Sequence, residues 1–303
     1  MYIILGATGH VGSALAKTLL DKAEPVTIVT HDELKAVDWI NAGAQAAVVD
    51  VHDVKALHEV FMRGRRLFLL NPPAPISSDI IKEERKTLAC ILKALEGTPI
   101  TKVVGESTYG AQPGDGAGDL NVLFEMEEAL KNQGLPNSII RAAYYMCNWD
   151  TSIQSAMEEG VIHSLYPLDF KLPMVAADDL GYAAADLITE SADTTRTVYV
   201  EGPETYSAND VASAFSKALG MNVKAVHVPE DQWAKHLSTQ GFSKKAAKAM
   251  CAMTKITLEQ KYERSANPRR GQITLDQYIQ DLVNTAAATG SRAPRIRTLE
   301  DSL

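Results

Sequence analysis

A glycine at every third position of one seven-residue segment, Gly6-Ala7-Thr8-Gly9-His10-Val11-Gly12, constrains this chain more than any other feature. The segment follows an apolar run at residues 2–5, which reads as a strand. It leads into residues 12–22, where Ala14, Leu15, Leu19 and Leu20 share one helical face. A strand that turns into a helix over three glycines has a specific use. The first glycine allows a tight turn, the second lets a diphosphate run against bare backbone, and the third lets the helix pack closely on its sheet. Free N–H groups at the helix start, reinforced by the helix dipole, then face the anion. Gly6, Thr8, Gly9, His10, Val11 and Gly12 are therefore the candidate residues for a dinucleotide, Thr8 adding a hydroxyl. A strand-to-helix turn without a ligand is the plainer alternative.

The next hundred residues repeat the same alternation. Residues 25–30, 46–49, 67–70, 102–105 and 138–141 are short runs rich in apolar or β-branched side chains. Residues 34–43, 53–63, 76–96 and 120–133 between them have helical spacing. Nearly continuous apolar strands separated by amphipathic helices predict an α/β fold, a parallel sheet covered by helices on both faces. Residues 1–150 are expected to form this dinucleotide-binding unit. Residues 151–303 are expected to form a smaller mixed α/β cap for substrate, with 178–200 returning to the sheet as a helix (178–187) and a strand (196–200). Within the cap, 207–219, 243–254 and 274–283 read as helices and 223–228 as a strand. Ser207 and Asp210 have capping-box spacing, and Lys244, Lys245 and Lys248 read as a solvated face rather than a docking patch. The polar tail, 290–303, reads as a loose or partner-contacting terminus.

Composition removes several function classes. A formal net charge of −8 provides no basic footprint for nucleic acid. The N-terminus lacks a basic start followed by a long apolar stretch, and no run of about 20 apolar residues occurs, so neither export nor membrane insertion is expected. Cys90, Cys147 and Cys251 lie far apart and make neither a disulfide framework nor a zinc-ligand pattern. No metal is expected, and a cytoplasmic location is. A hydrolase nucleophile elbow, G-x-S-x-G, is absent.

The string GATGHVG at residues 6–12 resembles the opening motif of the atypical, NmrA-like branch of the short-chain dehydrogenases/reductases. The resemblance continues through VTHDELKA, AAVVDVHD and LFLLNPPAP, then LFEMEEALKNQGLPNSIIRAAYYMCNW, VAADDLGYAAADLI and YVEGPETYSANDVASAFSKALG. It reaches to about residue 285 and is most specific in its N-terminal part. It implies a Rossmann-like fold and an NAD(P)H-dependent reductase of a small quinone-like or activated aromatic or enone acceptor. The same branch includes non-catalytic NADP(H)-sensing regulators that act through a protein partner, so that alternative stands beside the enzyme. Whether the chain forms a homodimer stays open.

An acidic residue at the end of the second strand would hold a free ribose 2′-hydroxyl, whereas a basic one accommodates a 2′-phosphate. Thr30 and His31 stand there, with Lys35 one helical turn on. The resemblance places His31 where family members commonly carry Arg, and Lys35 where they carry Lys. NADP(H) is accordingly favoured over NAD(H), although Asp32 offers an alternative ribose contact and Lys35 reads equally as a surface charge. Asp50 and Val51, after the third strand, are expected near the adenine. Asn71, Pro72 and Pro73, after the fourth, are expected near the nicotinamide ribose, or the two prolines form only a rigid turn.

Most of the superfamily uses a Tyr-x-x-x-Lys pair, four residues apart on one helical face. None of the ten tyrosines here is followed by Lys at that spacing. The resemblance places Asp119 at the tyrosine position and Leu123 where Lys or His stands, so the usual proton donor is missing. Candidate donors are Glu106, Ser107 and Tyr109 after the fifth strand, with Tyr109 reading equally as a surface loop residue and Glu106 as a loop cap. Candidate substrate contacts are Leu123, Tyr144, Tyr145 and Asn148, the two tyrosines reading equally as core anchors.

Overall fold

The computed structural model describes residues 1–288; the expectation for residues 290–303 lies outside them. Strands and helices alternate from the start: β1 (Tyr2–Ile4), α1 (His10–Asp21), β2 (Val26–Thr30), α2 (Glu33–Asn41), β3 (Gln45–Val48), α3 (Val54–Phe61), β4 (Arg66–Leu69), α4 (Ile80–Leu95), β5 (Lys102–Thr108), α5 (Asp119–Asn132) and β6 (Asn137–Ala142). Beyond β6 come β7 (Tyr144–Tyr145), a 3-10 segment (Met146–Ser152), α6 (Ile153–Glu159), β8 (Val161–Ser164), β9 (Leu172–Val175), α7 (Ala177–Thr189) and β10 (Arg196–Glu201). The chain closes with β11 (Thr205–Tyr206), α8 (Ala208–Leu219), β12 (Lys224–His227), α9 (Trp233–Thr239), α10 (Lys244–Leu258), β13 (Arg269–Arg270) and α11 (Leu275–Ala288).

Eight strands form one sheet in the order β3-β2-β1-β4-β5-β6-β10-β13, every neighbouring pair parallel. Successive side chains of a strand point to opposite faces, and both faces are buried. Ile4, Phe68, Val104 and Ile140 pack with Leu15 of α1 and Leu180 of α7. Ile3, Leu67, Val103 and Ile139 pack with Leu57 of α3, Leu88 of α4 and Met126 of α5. Helices α1 and α7 approach closely because the contact is built from small residues; a Cβ on Gly181 would stand 2.4 Å from the Ala14 Cβ. This is the Rossmann-like α/β fold.

A second group of elements covers the carboxyl end of the sheet. Strands β7, β9 and β11 form a three-stranded sheet, and β8 pairs with β12. Met146, Trp149, Ile162, Met174, Phe215 and Ile279 make its core. Phe242 and Ala246 near the start of α10 pack with Ala74 and Ile80, which ties this layer to the loop before α4. Among the described residues no helix is long and apolar enough to cross a membrane.

Local chemistry sets the helix starts. Asp32, Asp53, Ser207 and Ser243 each accept a hydrogen bond from an amide of the first turn. Ser207 and Asp210 make both halves of a capping box, so aspartate serves where glutamate is usual. Two bounds next to the site differ from the sequence reading. The fifth strand runs on to Thr108, pairing Ser107 with Arg141 and Thr108 with Ala142, because its polar side chains are buried with partners and so broke the apolar pattern. The long helix starts at Ile80 rather than 76, after a turn in which the Ser78 amide donates to the Pro75 carbonyl.

Candidate active site

The turn after β1 is built from its glycines. Gly6 has φ +68°, a conformation that L side chains rarely adopt, and the Gly9 amide donates to the Gly6 carbonyl at 3.0 Å. A Cβ on Gly12 would lie 2.3 Å from the Gly6 carbonyl oxygen, so only glycine lets α1 leave the strand this closely. Gly9 caps α1 without a side-chain bond, and the first turn carries no acidic residue. Its amides are thus presented toward an anion with no carboxylate competing, which fits a dinucleotide diphosphate. His10 and Val11 form that first turn, with Thr8 half-buried beside it. The His10 Nε2 lies 3.9 Å from Asp150, whose other oxygen accepts from the Tyr278 hydroxyl at 2.7 Å, so α11 braces the loop.

At the ends of β2 and β3, Thr30 is buried, His31 is exposed, and Lys35 and Val51 are half-buried. Asp32 accepts from the Leu34 and Lys35 amides at 2.8 and 3.2 Å, and those bonds, Lys35 foremost, hold its carboxyl below the usual range. Asp32 is therefore engaged as a helix cap. Asp50 is engaged with His52, accepting from its amide at 2.9 Å and meeting Nδ1 at 3.0 Å; the amide bond leads in holding that carboxyl low.

An apolar cavity of about 270 Å³ opens at the carboxyl ends of β4, β5 and β6. It is lined by Leu70, Asn71 and Pro73, by Glu106 through Gly110, by Leu123, and by Tyr144, Tyr145 and Asn148. Met250, Met253 and Thr257 of α10 cover it. The structure thus brings the candidate donors and substrate contacts to one place, while Thr30, His31, Lys35, Asp50 and Val51 stand at the other half of the sheet end. Pro72 is half-buried and outside the lining. The glycine loop abuts the cavity wall, since a Cβ on Gly6 would touch Leu70 at 3.0 Å. A larger, open depression of about 1260 Å³ lies between α7, α8 and α11. Its lining carries charges of both signs, including Asp178, Lys217 and Arg270, and the smaller apolar volume suits an aromatic molecule better.

The three candidate donors separate sharply. The Ser107 hydroxyl donates to Glu127 at 2.6 Å, and Glu127 is paired with Arg141 at 2.8 Å. The Tyr109 hydroxyl donates to Glu201 at 2.8 Å, its ring lies against Tyr199 and Tyr262, and burial with Glu201 beside it raises its pKa far above the ordinary phenol value. Both hydroxyls are bonded to buried carboxylates, so of the three candidate donors only Glu106 keeps a polar atom without a partner. The variant Tyr109→Phe is expected to keep activity within about threefold and to lose about 1–2 kcal/mol of stability, as a buried carboxylate loses a donor; steady-state rates and urea unfolding check this. Glu106 differs. It is 4% exposed, Oε1 accepts from the Tyr145 hydroxyl at 2.9 Å, and Oε2 is shut off from solvent with no partner. Burial pushes its carboxyl up to about 8 against the opposing bond from Tyr145, so it is mostly protonated at neutral pH.

Glu84 and Asp119 were not among the sequence candidates for the site. Glu84 is buried, its Oε1 accepts from the Ala74 amide at 3.2 Å, and burial together with the charge of Asp119 pushes it up to about 8. Asp119 opens α5 and has one oxygen, Oδ1, closed off without a partner; burial raises its pKa. A signal was available. Glu84 occupies the stripe Ile80, Thr87, Leu88, Ile91, where a charged side chain is out of place.

The sequence model of the NmrA-like family matches residues 2–288. The chain is 23% identical over 251 residues to an NAD(P)H azoreductase of Xenophilus azovorans, covering 82% of this chain and 85% of that one. The structure of an Escherichia coli NADPH-dependent quinone oxidoreductase complexed with NADPH superposes with a TM-score of 0.76 at 21% identity, covering 93% of this chain and 99% of the other. A Citrobacter sp. triphenylmethane reductase complexed with NADP(H) gives 0.73 at 17% identity, over 100% and 99%. With a family match spanning nearly the whole sequence and this fold beneath it, the chain belongs to the NmrA-like family.

Proposed function

We propose that this protein is an NADPH-dependent reductase of a small quinone-like or activated aromatic or enone acceptor. The acceptor binds in the cavity at the ends of β4, β5 and β6. A bound reduced nicotinamide supplies the hydride. Glu106 is the proton donor, and the observation that carries the reading is that this buried residue of the cavity lining keeps one carboxyl oxygen, Oε2, without a partner. No Tyr-x-x-x-Lys pair is present to fill that role. Tyr145 fixes the carboxyl through Oε1 and leaves Oε2 to the acceptor. The azoreductase and quinone oxidoreductase among the relatives support the choice of acceptor class. Steady oxidation of NADPH across a panel of quinones, enones and azo compounds is the test. Tight cofactor binding with no turnover of any of them would instead favour a regulator that senses the nicotinamide pool.

NADPH is the preferred coenzyme because Asp32 is engaged as a helix cap and His31 and Lys35 leave the ribose rim without a free acid. The variant Lys35→Glu is expected to lower the NADPH-over-NADH preference about tenfold, mainly through the KM for NADPH. An unchanged ratio of kcat/KM values would remove Lys35 from the 2′-phosphate site.

A further inference from the structure

Three carboxyl side chains line the acceptor cavity, those of Glu84, Glu106 and Asp119, and no lysine, arginine or histidine lines it. Two of them, Glu84 and Glu106, are 6% and 4% exposed. Asn71 adds an amide oxygen, and Asn71 Oδ1, Asp119 Oδ1 and Glu106 Oε2 are all closed off from solvent without a hydrogen-bond donor. The nearby basic groups are used elsewhere: Arg85 pairs with Glu125 at 2.7 Å, and Lys245 with Asp79 at 2.5 Å. Asn71 is held in place by donating its amide to the Glu84 carbonyl at 3.2 Å, which directs its oxygen away from that bond.

A buried acceptor atom is unfavourable until a donor meets it. This cavity carries three carboxyls and no basic side chain to balance them, its donors being hydroxyls and the Asn148 amide, so ionising Glu84 or Asp119 is unfavourable until a positive charge arrives with the bound molecule. Among the described residues no group of His, Cys, Asp and Glu is arranged to hold a metal ion, and an organic cation or amine would supply both a charge and a donor. Among the other wall residues, Leu123, Tyr144, Met250 and Met253 are apolar or aromatic and suit a flat ring system. We infer that the cavity selects its acceptor by charge: it takes aromatic acceptors that carry a cationic or amino substituent and refuses anionic ones, with Glu84, Asp119 and Asn71 as the specificity-determining residues. A sulfonate or carboxylate placed there would meet three carboxyls and no basic side chain to balance its charge, a repulsive element as well as a missing attraction. The inference rests on the reading of this cavity as the acceptor site.

The test uses one aromatic scaffold, an azobenzene, bearing a trimethylammonium group, no substituent, or a sulfonate. Binding to the full-length protein saturated with NADP+ is measured by calorimetry, and turnover is measured with NADPH. The trimethylammonium probe is expected to bind at least tenfold more tightly than the sulfonate. Glu84→Gln and Asp119→Asn are each expected to reduce that ratio at least threefold, and Glu128→Gln, on the exposed face of α5, to leave it unchanged. Equal or tighter binding of the sulfonate, or no binding of any probe, would overturn charge selection, as would a ratio unaffected in both folded cavity variants. If a variant fails to fold, the wild-type ratio and the other variant decide. A preserved binding ratio with no turnover of any probe, nor of the quinones and enones of the acceptor panel, would sink the reductase reading and leave charge selection standing. Turnover without charge preference would do the reverse.

Discussion

Replacing Gly9 with valine is expected to leave the sheet intact and to weaken nucleotide binding more than a hundredfold. Gly9 has φ −92° and ψ −176°, extended backbone that any residue adopts, so the substitution introduces no conformational strain. The loss of a good N-cap residue costs α1 about 1 kcal/mol or less. The valine side chain is instead expected to crowd the approach to the first-turn amides, where a diphosphate has to touch the main chain. Calorimetry with NADPH and NADP+, and a thermal midpoint without ligand, separate the two effects. Gly12→Ala is the instructive contrast. Its Cβ would lie 2.3 Å from the Gly6 oxygen and 2.6 Å from the Gly6 carbonyl carbon, both backbone atoms that cannot swing away. That variant is expected to lose about 3 kcal/mol of stability through overpacking. Unchanged affinity in Gly9→Val would displace the nucleotide from this loop.

The second large effect is expected from Glu106→Gln, a near-isosteric change that removes the proton and keeps the bond from Tyr145. Two-electron reduction of a quinone requires a hydride and a proton, and the donor's contribution is commonly about a hundredfold or more in kcat. A loss of about that size is expected, with KM nearly unchanged because the ring contacts remain. In the wild type, kcat is expected to fall as pH rises through about 8, where Glu106 gives up its proton, and the variant should lack that limb. Stability gives an independent reading. The folded carboxyl titrates near 8 and the unfolded one near 4.5, so between those values the folded state binds the extra proton. The stability this contributes is full below about 4.5 and is lost as pH climbs toward 8. Glu106→Gln is expected to gain stability relative to the wild type between pH 6 and pH 9, measured by urea unfolding. A flat difference across that range would mean that Glu106 is not buried as a neutral acid.

Much of the fold is legible in the sequence because it is written in short-range spacing. The glycine triplet marks a turn whose φ and close contacts no other residue satisfies, apolar runs mark strands buried on both faces, and helical spacing marks their covers. Even the Ser207–Asp210 cap can be read three residues apart. The strands β7, β8, β9, β11 and β13 escape such reading, and three of them, β7, β11 and β13, have only two residues, too few to show a period.

Which end of the sheet carries the candidate site was also readable, because ligands of open parallel sheets gather outside the carboxyl ends of the strands. Which side chain faces the acceptor was not. Tyr109 and Ser107 look as capable as Glu106 in the sequence, and only packing commits the first to Glu201, 92 residues away, and the second to Glu127, 20 residues away. Glu84 and Asp119 are brought to one cavity by two helices from separate parts of the chain. The sequence by itself determined the strand-helix alternation and the nucleotide turn, because these depend on neighbours along the chain. The tertiary structure alone decided which carboxyls are left without partners, because a hydrogen-bond partner is chosen by proximity in space and the chain carries no local record of it.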